Sequence, residues 1–217
     1  NGNIAIAKVH NSYLNAAHNM LNVCAAITIL QHMELDVVAA IKSLDNFEPL
    51  PHRLHEIRKY NDLLFVDDCI STSVESTIAA IDHYHARSTT IILGGADRGL
   101  DYNKLVTHLL ELSTNSQLCI ICMGMSGQRI FCQLISDIEN SRSDEIDSQK
   151  HNNWIFEADS MEIALQIAIE NTPQHGVVLL SPAAPSYDVY KNFEEKSAHF
   201  LKCIEKCAGS ESDAQVK

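Results

Sequence analysis

The chain has 217 residues, 46% of them apolar, and its 28 acidic against 16 basic residues give a formal charge of −12. This length allows one large domain or one domain joined to part of another, and the negative charge repels phosphate backbones, so we expect no nucleic-acid partner. No apolar stretch reaches the length of a membrane span and no signal-peptide pattern opens the chain, so we expect no membrane span. The reduced thiols that we predict from the cysteines indicate a cytoplasmic protein.

The seven cysteines cannot all pair internally, because their number is odd. Cys119 and Cys122 lie in an apolar run, and in a strand they would point to opposite faces, where they could not share one metal ion. Cys203 and Cys207 have helical spacing but no obvious second pair of ligands. We therefore predict reduced thiols, no disulfide and no metal site.

The first fifty residues predict a strand-like run from Ile4 to Val9 and two helices, from about Ala16 to Gln31 and from about Leu35 to Ser43. One strand and two helices cannot close a core of their own. We predict that residues 1–48 are the end of another domain, residues 49–209 one domain, and residues 210–217 a frayed tail. A hinge is expected near Glu48–Pro51.

The remainder repeats a strand, turn and helix pattern. The predicted strands are residues 54–60, 63–66, 89–93, 118–123, 154–156 and 177–180. The predicted helices are residues 74–81, 102–112, 161–169 and 188–207, with another through Ile130 and Leu134, and residues 136–153 are predicted to form a surface loop. Apolar strands that alternate with helices indicate a parallel sheet covered on both faces. The predicted fold is α/β, with a Rossmann-like, mostly parallel six-stranded sheet and one antiparallel strand at residues 54–60.

Three features are candidates for chemistry, since ligands of such sheets bind beyond the carboxyl ends of the strands. Arg53, beside a proline at the hinge, could hold a phosphate or could be a solvated linker residue. Asp67 and Asp68 end a strand, where they suit a ribose hydroxyl or a metal-bound water; acidic residues there also cap helices. Leu93-Gly-Gly-Ala-Asp-Arg98 combines flexible backbone with a cation, or is a plain turn. The helix that follows Asp68 could be capped by Thr72 or Ser73.

Five segments, in order and spacing, resemble motifs of the Mur ligase family. They are Ala17–Asn22 with Ala25-Ala26 (family G-x-H-N-x-x-N-x-x-A-A), Leu50-Pro-His-Arg53 (the hinge), Asp67–Ser73 (N-D-S-K-A-T-N), Leu93–Asp101 (L-G-G-x-D-[KR]-G-x-D) and Leu180–Glu194 (within the block S-P-A-x-A-S-x-D-x-[FY]-x-N-F-[EQ]-x-R-G). The last block is most similar to members that add D-glutamate to UDP-N-acetylmuramoyl-L-alanine.

The resemblance implies an ATP-dependent, ADP-forming carbon–nitrogen ligase of peptidoglycan biosynthesis, and hence a role in cell-wall biogenesis, cell shape and division. The muramoyl-alanine carboxylate would be phosphorylated and the amine of D-glutamate would then attack it. The implied cofactors are ATP and Mg²⁺, the partners are UDP-N-acetylmuramoyl-L-alanine and D-glutamate, and the expected state is a monomer. Residues 1–48 would be the end of the central ATP-binding domain and residues 49–209 the carboxyl-terminal domain.

The resemblance also assigns roles to ten residues, none of them catalytic. The nucleotide-binding residues would be Asn19, Asn22, His52, Arg53 and Asp68. The residues that bind the incoming amino acid would be Thr72, Arg98, Ser186, Tyr187 and Phe193.

The chain also departs from the family. Ile70 replaces the motif lysine, Cys69 a serine, Ser73 an asparagine, Pro185 an alanine and Ser197 a glycine.

The G-K-[ST] phosphate loop and the acidic magnesium ligands are absent from the 217 residues, so we predict that this chain alone has no turnover. The alternative is a non-catalytic Mur-like module that binds a nucleotide sugar or a partner protein. A small dehydrogenase is disfavoured, because the glycine fingerprint of dinucleotide-binding proteins is missing.

Overall fold

The computed structural model describes residues 9–11, 14, 17–113, 118–141 and 154–212. The chain divides into two compact units, Asn1–Leu50 and Pro51–Lys217. The boundary that we predicted between residues 48 and 49 lies beside this division. The assignment of each unit to a particular domain of a larger ligase stays a prediction.

The amino-terminal unit contains helix α1, Ala17–His32, and helix α2, Val37–Ser43, which leads into a 3-10 turn, Leu44–Asn46. The prediction that the second helix begins at Leu35 was wrong by two residues. Asp36 ends the preceding turn in extended backbone, and its side chain accepts a 3.0 Å hydrogen bond from the N–H of Ala39. Apart from Val9, the predicted strand Ile4–Val9 lies outside the described residues.

The carboxyl-terminal unit is built on a sheet. Its strands in the described residues are β1 His55–Tyr60, β2 Leu63–Asp67, β3 Thr89–Leu93, β4 Leu118–Cys122, β5 Ile155–Glu157 and β6 Val177–Leu180. The spatial order is β1-β2-β6-β3-β4-β5, with β1 antiparallel to β2 and every other pair parallel. The predicted α/β fold, with six strands and one antiparallel member, is confirmed.

In the part of this unit that the structure describes, five helices cover the sheet. They are α3 Val74–His83, α4 Asn103–Ser113, α5 Gly124–Asn140, α6 Met161–Asn171 and α7 Phe193–Ser212. The four central strands, β2, β3, β4 and β6, are mostly apolar and buried at every position, and Phe65 of β2 meets Phe200 of α7 with ring centroids 6.4 Å apart. Packing on both faces explains why these strands are continuous apolar runs. Within the described residues, no helix combines the length and apolar character needed to cross a bilayer.

Three predicted limits of helices α5 and α7 were wrong. Helix α5 continues to Asn140, whereas we had predicted a loop from Ser136, because the half-buried Ile138 extends its apolar stripe and no glycine or proline interrupts it. Residues 142–153 of the predicted loop lie outside the described residues. Helix α7 begins at Phe193 rather than at residue 188, because the side-chain oxygen of Asn192 accepts a 2.9 Å bond from the N–H of Glu195. The same helix extends to Ser212, past the point at which we expected fraying.

Candidate functional site

Four segments that follow parallel strands meet at one edge of the sheet. Strand register pairs Asp67 with Leu180, Leu180 with Ile92, and Leu93 with Cys122, so these strands end at the same level. We call the segments 67–72, 94–98, 123–127 and 181–187 the strand-end rim. They contain five of the ten predicted site residues: Asp68, Thr72, Arg98, Ser186 and Tyr187.

Backbone hydrogen bonds hold the rim together. The N–H of Gly94 donates to the carbonyl of Pro182 at 2.8 Å, and the N–H of Ala96 donates to the carbonyl of Pro185 at 2.8 Å. A Cβ on Gly95 would lie 2.3 Å from the Pro185 oxygen, and Gly94 has a φ of +104°. The two glycines are therefore needed for the close approach of protein backbones within the rim, in addition to any approach of a ligand.

Arg98 and Tyr187 lie next to each other on the surface of the rim. The guanidinium carbon of Arg98 is 5.6 Å from the centre of the Tyr187 ring, and both side chains are exposed. Stacking on an aromatic ring orients a guanidinium and leaves its N–H groups available to an anion. Two of the predicted amino-acid-binding residues are thus adjacent.

Ser186 precedes Tyr187 and is 3% exposed. Its Oγ is buried and has no hydrogen-bond partner within the described part of the chain. Buried hydroxyl groups without a partner are uncommon in proteins, and a bound ligand is one way to satisfy them. Ser186 is therefore a donor available at the predicted amino-acid site.

Asp68 is buried, and both of its carboxylate oxygens accept hydrogen bonds from the protein. Ser181 Oγ donates to Oδ2 at 2.7 Å, and the N–H of Leu54 donates to Oδ1 at 3.1 Å. Burial raises the pKa of Asp68, while bonds from Ser181, Ser71 and Leu54 and the charge of Arg53 act in the opposite direction. Asp68 thus connects the strand-end rim to Leu54, the residue directly before β1.

His52 lies at the centre of a second polar group. Its Nδ1 is 2.6 Å from Oδ2 of Asp67 and 2.9 Å from Oγ of Ser197, and its ring meets that of Phe193 edge-on at 5.5 Å. The backbone of His52 has a φ of +64°, which is uncommon for a residue with a side chain. The structure therefore brings together two predicted residues, His52 and Phe193, that were assigned to different ligands.

Lys196 was not among the predicted site residues, although it is only 1% exposed. Its Nζ donates a 2.7 Å hydrogen bond to the carbonyl of Gly94, and burial lowers its pKa. A lysine on an amphipathic helix is normally read as a surface residue, so sequence periodicity could not have found it. Its position three residues after Phe193 in the last motif was the available signal.

The remaining predicted residues are placed as follows. Thr72 is exposed in the loop before α3, and Ser73 rather than Thr72 caps that helix, since its Oγ accepts a 3.2 Å bond from the N–H of Ser76. Asn19 is buried and Asn22 exposed on α1, within the amino-terminal unit. Since the two units are described separately, the predicted nucleotide site that spans them stays a prediction.

The chain is similar in sequence to curated enzymes over most of its length. It is 39% identical, over 88% of its residues, to UDP-N-acetylmuramoyl-L-alanine--L-glutamate ligase of a Micromonospora species, and 31% identical, also over 88%, to the enzyme of that name from Xanthomonas campestris. The chain belongs to the Mur ligase family. It spans 38–40% of the length of these two relatives. No protein-family model matches it.

Solved Mur ligases share the fold of this chain. A murein peptide ligase, Mpl, from Psychrobacter arcticus superposes with a TM-score of 0.54 at 13% identity, over 86% of this chain and 37% of that protein. The MurF ligase from Thermotoga maritima, solved with ADP, gives a TM-score of 0.55 at 17% identity, over 88% of this chain and 40% of that protein.

Two departures from the Mur ligase motifs are in direct contact with each other. Ser197, where the family pattern has glycine, donates a hydrogen bond to Asp67, which stands at the first, asparagine position of the N-D-S-K-A-T-N motif. Ile70, in place of the motif lysine, is half-buried, and its N–H donates to the carbonyl of His52 at 3.2 Å. Three positions at which this chain departs from the family motifs, Asp67, Ile70 and Ser197, therefore contact His52.

Proposed function

We propose that the whole protein is an ATP-dependent, ADP-forming ligase that joins glutamate to UDP-N-acetylmuramoyl-L-alanine, and that this chain supplies the surface that binds the amino acid. The observation that carries the proposal is the arrangement at the strand-end rim. An exposed Arg98 is stacked on Tyr187, directly beside the buried, unpartnered hydroxyl of Ser186.

The chemistry of glutamate fits these groups. Each of its two carboxylates is best bound by a cation or by hydrogen-bond donors, and Arg98 offers a planar set of N–H groups for one of them. Ser186 Oγ and the exposed hydroxyl of Thr72 are candidate donors for the other. Binding by these residues would hold the amine of glutamate ready to attack the activated carboxylate of the muramoyl-alanine.

The nucleotide contacts are proposed from the hinge. Arg53 is the side chain that we assign to a phosphate, since a guanidinium binds phosphate through two N–H groups. Both carboxylate oxygens of Asp68 already accept hydrogen bonds from the protein. We therefore propose that Asp68 orients the side chain of Arg53 and the backbone of Leu54, which directly precedes β1. ATP would supply the phosphoryl group together with Mg²⁺. We place no magnesium ligand in this chain, and we expect the chain by itself to have no turnover.

The relatives favour the L configuration of the incoming amino acid. Those with 30–39% identity, among them the Salinispora tropica protein, are named for L-glutamate. The relative from Pseudothermotoga lettingae, at 27% identity, is named for D-glutamate. We therefore propose L-glutamate as the substrate, with D-glutamate, which the motifs of the last block predicted, as the second candidate.

The proposal is tested with the whole protein, ATP, Mg²⁺ and UDP-N-acetylmuramoyl-L-alanine, supplied with L- or D-glutamate separately. Product is measured by mass spectrometry and ADP by a coupled assay. We expect product with L-glutamate and much less with D-glutamate; the reverse preference would support the second candidate. ATP binding without product from either enantiomer would favour a non-catalytic module, for which Ile70 in place of the motif lysine is the supporting observation.

A further inference from the structure

A polar cluster lies between α6 and α7, and no step of the proposed ligation uses it. A carboxylate oxygen of Glu162, a ring nitrogen of His199 and the sulfur of Cys203 all lie within 4.8 Å of one another. We propose that these three side chains bind a zinc ion. The sequence alone predicted no metal site, because Cys203 has only Cys207 as a neighbouring ligand at helical spacing, whereas Glu162 is distant in sequence.

The fold brings the three groups together in a simple way. His199 and Cys203 are four residues apart on α7, so they lie on the same face of that helix. Glu162 is in the first turn of α6, just after Ser160, whose Oγ caps the helix by accepting a bond from the N–H of Ile163. The Oε1 atom of Glu162 lies 3.0 Å from Nε2 of His199, so a carboxylate oxygen faces the same point as the α7 ligands.

Tyr190 supports the imidazole from its other side. The Tyr190 hydroxyl is 2.9 Å from Nδ1 of His199, while Nε2 of the same ring is 3.0 Å from Oε1 of Glu162. Histidines that bind metals through one nitrogen commonly use the other in such a hydrogen bond, which fixes the orientation of the ring. A hydroxyl can donate or accept, so Tyr190 suits His199 both before and after the ring proton moves from Nε2 to Nδ1 on metal binding.

The donor set favours zinc over magnesium. Zn²⁺ accepts nitrogen, sulfur and carboxylate ligands in one tetrahedral site, whereas Mg²⁺ prefers oxygen alone. The side chains of His199 and Glu162 are 31% and 50% exposed, which gives an ion access from solvent and leaves room for water as the fourth ligand. An occupied site would cross-link α6 and α7 and, through Tyr190, would stabilise the segment that begins with Ser186.

Cys203 must lose its proton to take part. Burial raises the pKa of this thiol to about 11, the Glu162 carboxylate acts in the same direction, and Lys206 opposes it. The metal-free site therefore contains a thiol, and binding transfers the Cys203 proton to solvent while the sulfur bonds to the ion. The competing interpretation is a plain hydrogen bond between His199 and Glu162 with a thiol packed beside it, and this interpretation requires no metal affinity.

The test uses the full 217-residue chain, reduced and freed of metal, titrated with Co²⁺ as a spectroscopic substitute for Zn²⁺. We expect one equivalent to bind with a thiolate-to-cobalt charge-transfer band in the near ultraviolet, which Zn²⁺ then abolishes by displacement. Cys203→Ser should remove this band, whereas Cys132→Ser, at an exposed cysteine of α5, should keep it. Absence of saturable binding in the parent chain, or an unchanged band in Cys203→Ser, would overturn the proposal.

Two further variants test the site even if Cys203→Ser does not fold. Glu162 is exposed, so Glu162→Gln should keep the fold and the thiolate band but weaken cobalt binding. Tyr190→Phe should weaken it by about tenfold, in line with the usual effect of losing a hydrogen-bond partner of a metal-binding histidine. Zn²⁺ should also raise the melting temperature of the parent chain and of Cys132→Ser more than that of Glu162→Gln. Equal binding and equal thermal shifts in all of these proteins would contradict the site.

Discussion

The hydroxyl of Ser197 on α7 donates a 2.5 Å hydrogen bond to the carboxylate of Asp67 at the end of β2. The same Asp67 oxygen accepts a 2.6 Å bond from Nδ1 of His52. Both Asp67 and Ser197 are almost fully buried, so few water molecules can replace these bonds. Three segments that are far apart in sequence are therefore held together at one carboxylate oxygen.

Removal of the Ser197 hydroxyl should destabilise the carboxyl-terminal unit. We expect Ser197→Ala to lower the free energy of unfolding by about 1–3 kcal/mol, because a buried hydrogen bond to a charged group is lost. Urea unfolding monitored by circular dichroism measures this change. Ser141→Ala, at an exposed serine that ends α5, is the matched control and should change the free energy by less than about 0.5 kcal/mol. Equal effects from the two substitutions would show that the contact with Asp67 contributes nothing.

Gly95→Ala should disrupt the strand-end rim. The added Cβ would lie 2.3 Å from the carbonyl oxygen of Pro185, which belongs to the backbone, so the segment that leads to Ser186 must move. Gly99→Ala is the comparison, because its Cβ meets no atom within 4 Å and the cost comes from its φ of +70° alone. That cost is about 1–2 kcal/mol, and we expect Gly95→Ala to exceed it in urea unfolding. A smaller loss in Gly95→Ala than in Gly99→Ala would contradict the packing described here.

The buried Asp68 should make stability depend on pH. Burial raises its pKa above the usual 3.8, so the folded chain keeps this proton to higher pH than the unfolded chain. Its contribution to stability is therefore full below the unfolded pKa and is lost as the pH rises through the folded pKa. Asp68→Asn cannot titrate, so the stability of the parent relative to this variant should fall as the pH rises above the usual carboxyl pKa of 3.8. If the unfolding free energies of the parent and of Asp68→Asn change with pH in parallel, burial of the Asp68 carboxyl does not affect stability in this way.

Local sequence patterns predicted the sheet well. The predicted strands 89–93 and 177–180 match β3 and β6 to the residue, because a strand buried on both faces has no polar interruption and ends abruptly at Gly94 or Ser181. Helix limits were less predictable. The start of α7 depends on the side chain of Asn192, whose capping bond has no signature in apolar periodicity.

Contacts between distant residues were beyond the reach of sequence periodicity. His52 and Ser197 are separated by 145 positions, yet they share Asp67. Lys196 is buried against Gly94, although its place on an amphipathic helix suggested an exposed side chain. Family motifs identified Arg98, Ser186 and Tyr187 as candidates, and only the structure brought Arg98 onto the Tyr187 ring beside Ser186.

The binding role of Arg98 is the central claim, and steady-state kinetics of the whole protein with Arg98→Ala test it most directly. Because the variant loses a charge-assisted contact to a glutamate carboxylate, we expect the KM for glutamate to rise by about tenfold or more while the KM for ATP stays the same. Arg58→Ala, at an exposed arginine of β1, is the control and should leave both constants unchanged. An unaltered KM for glutamate in Arg98→Ala would contradict the account.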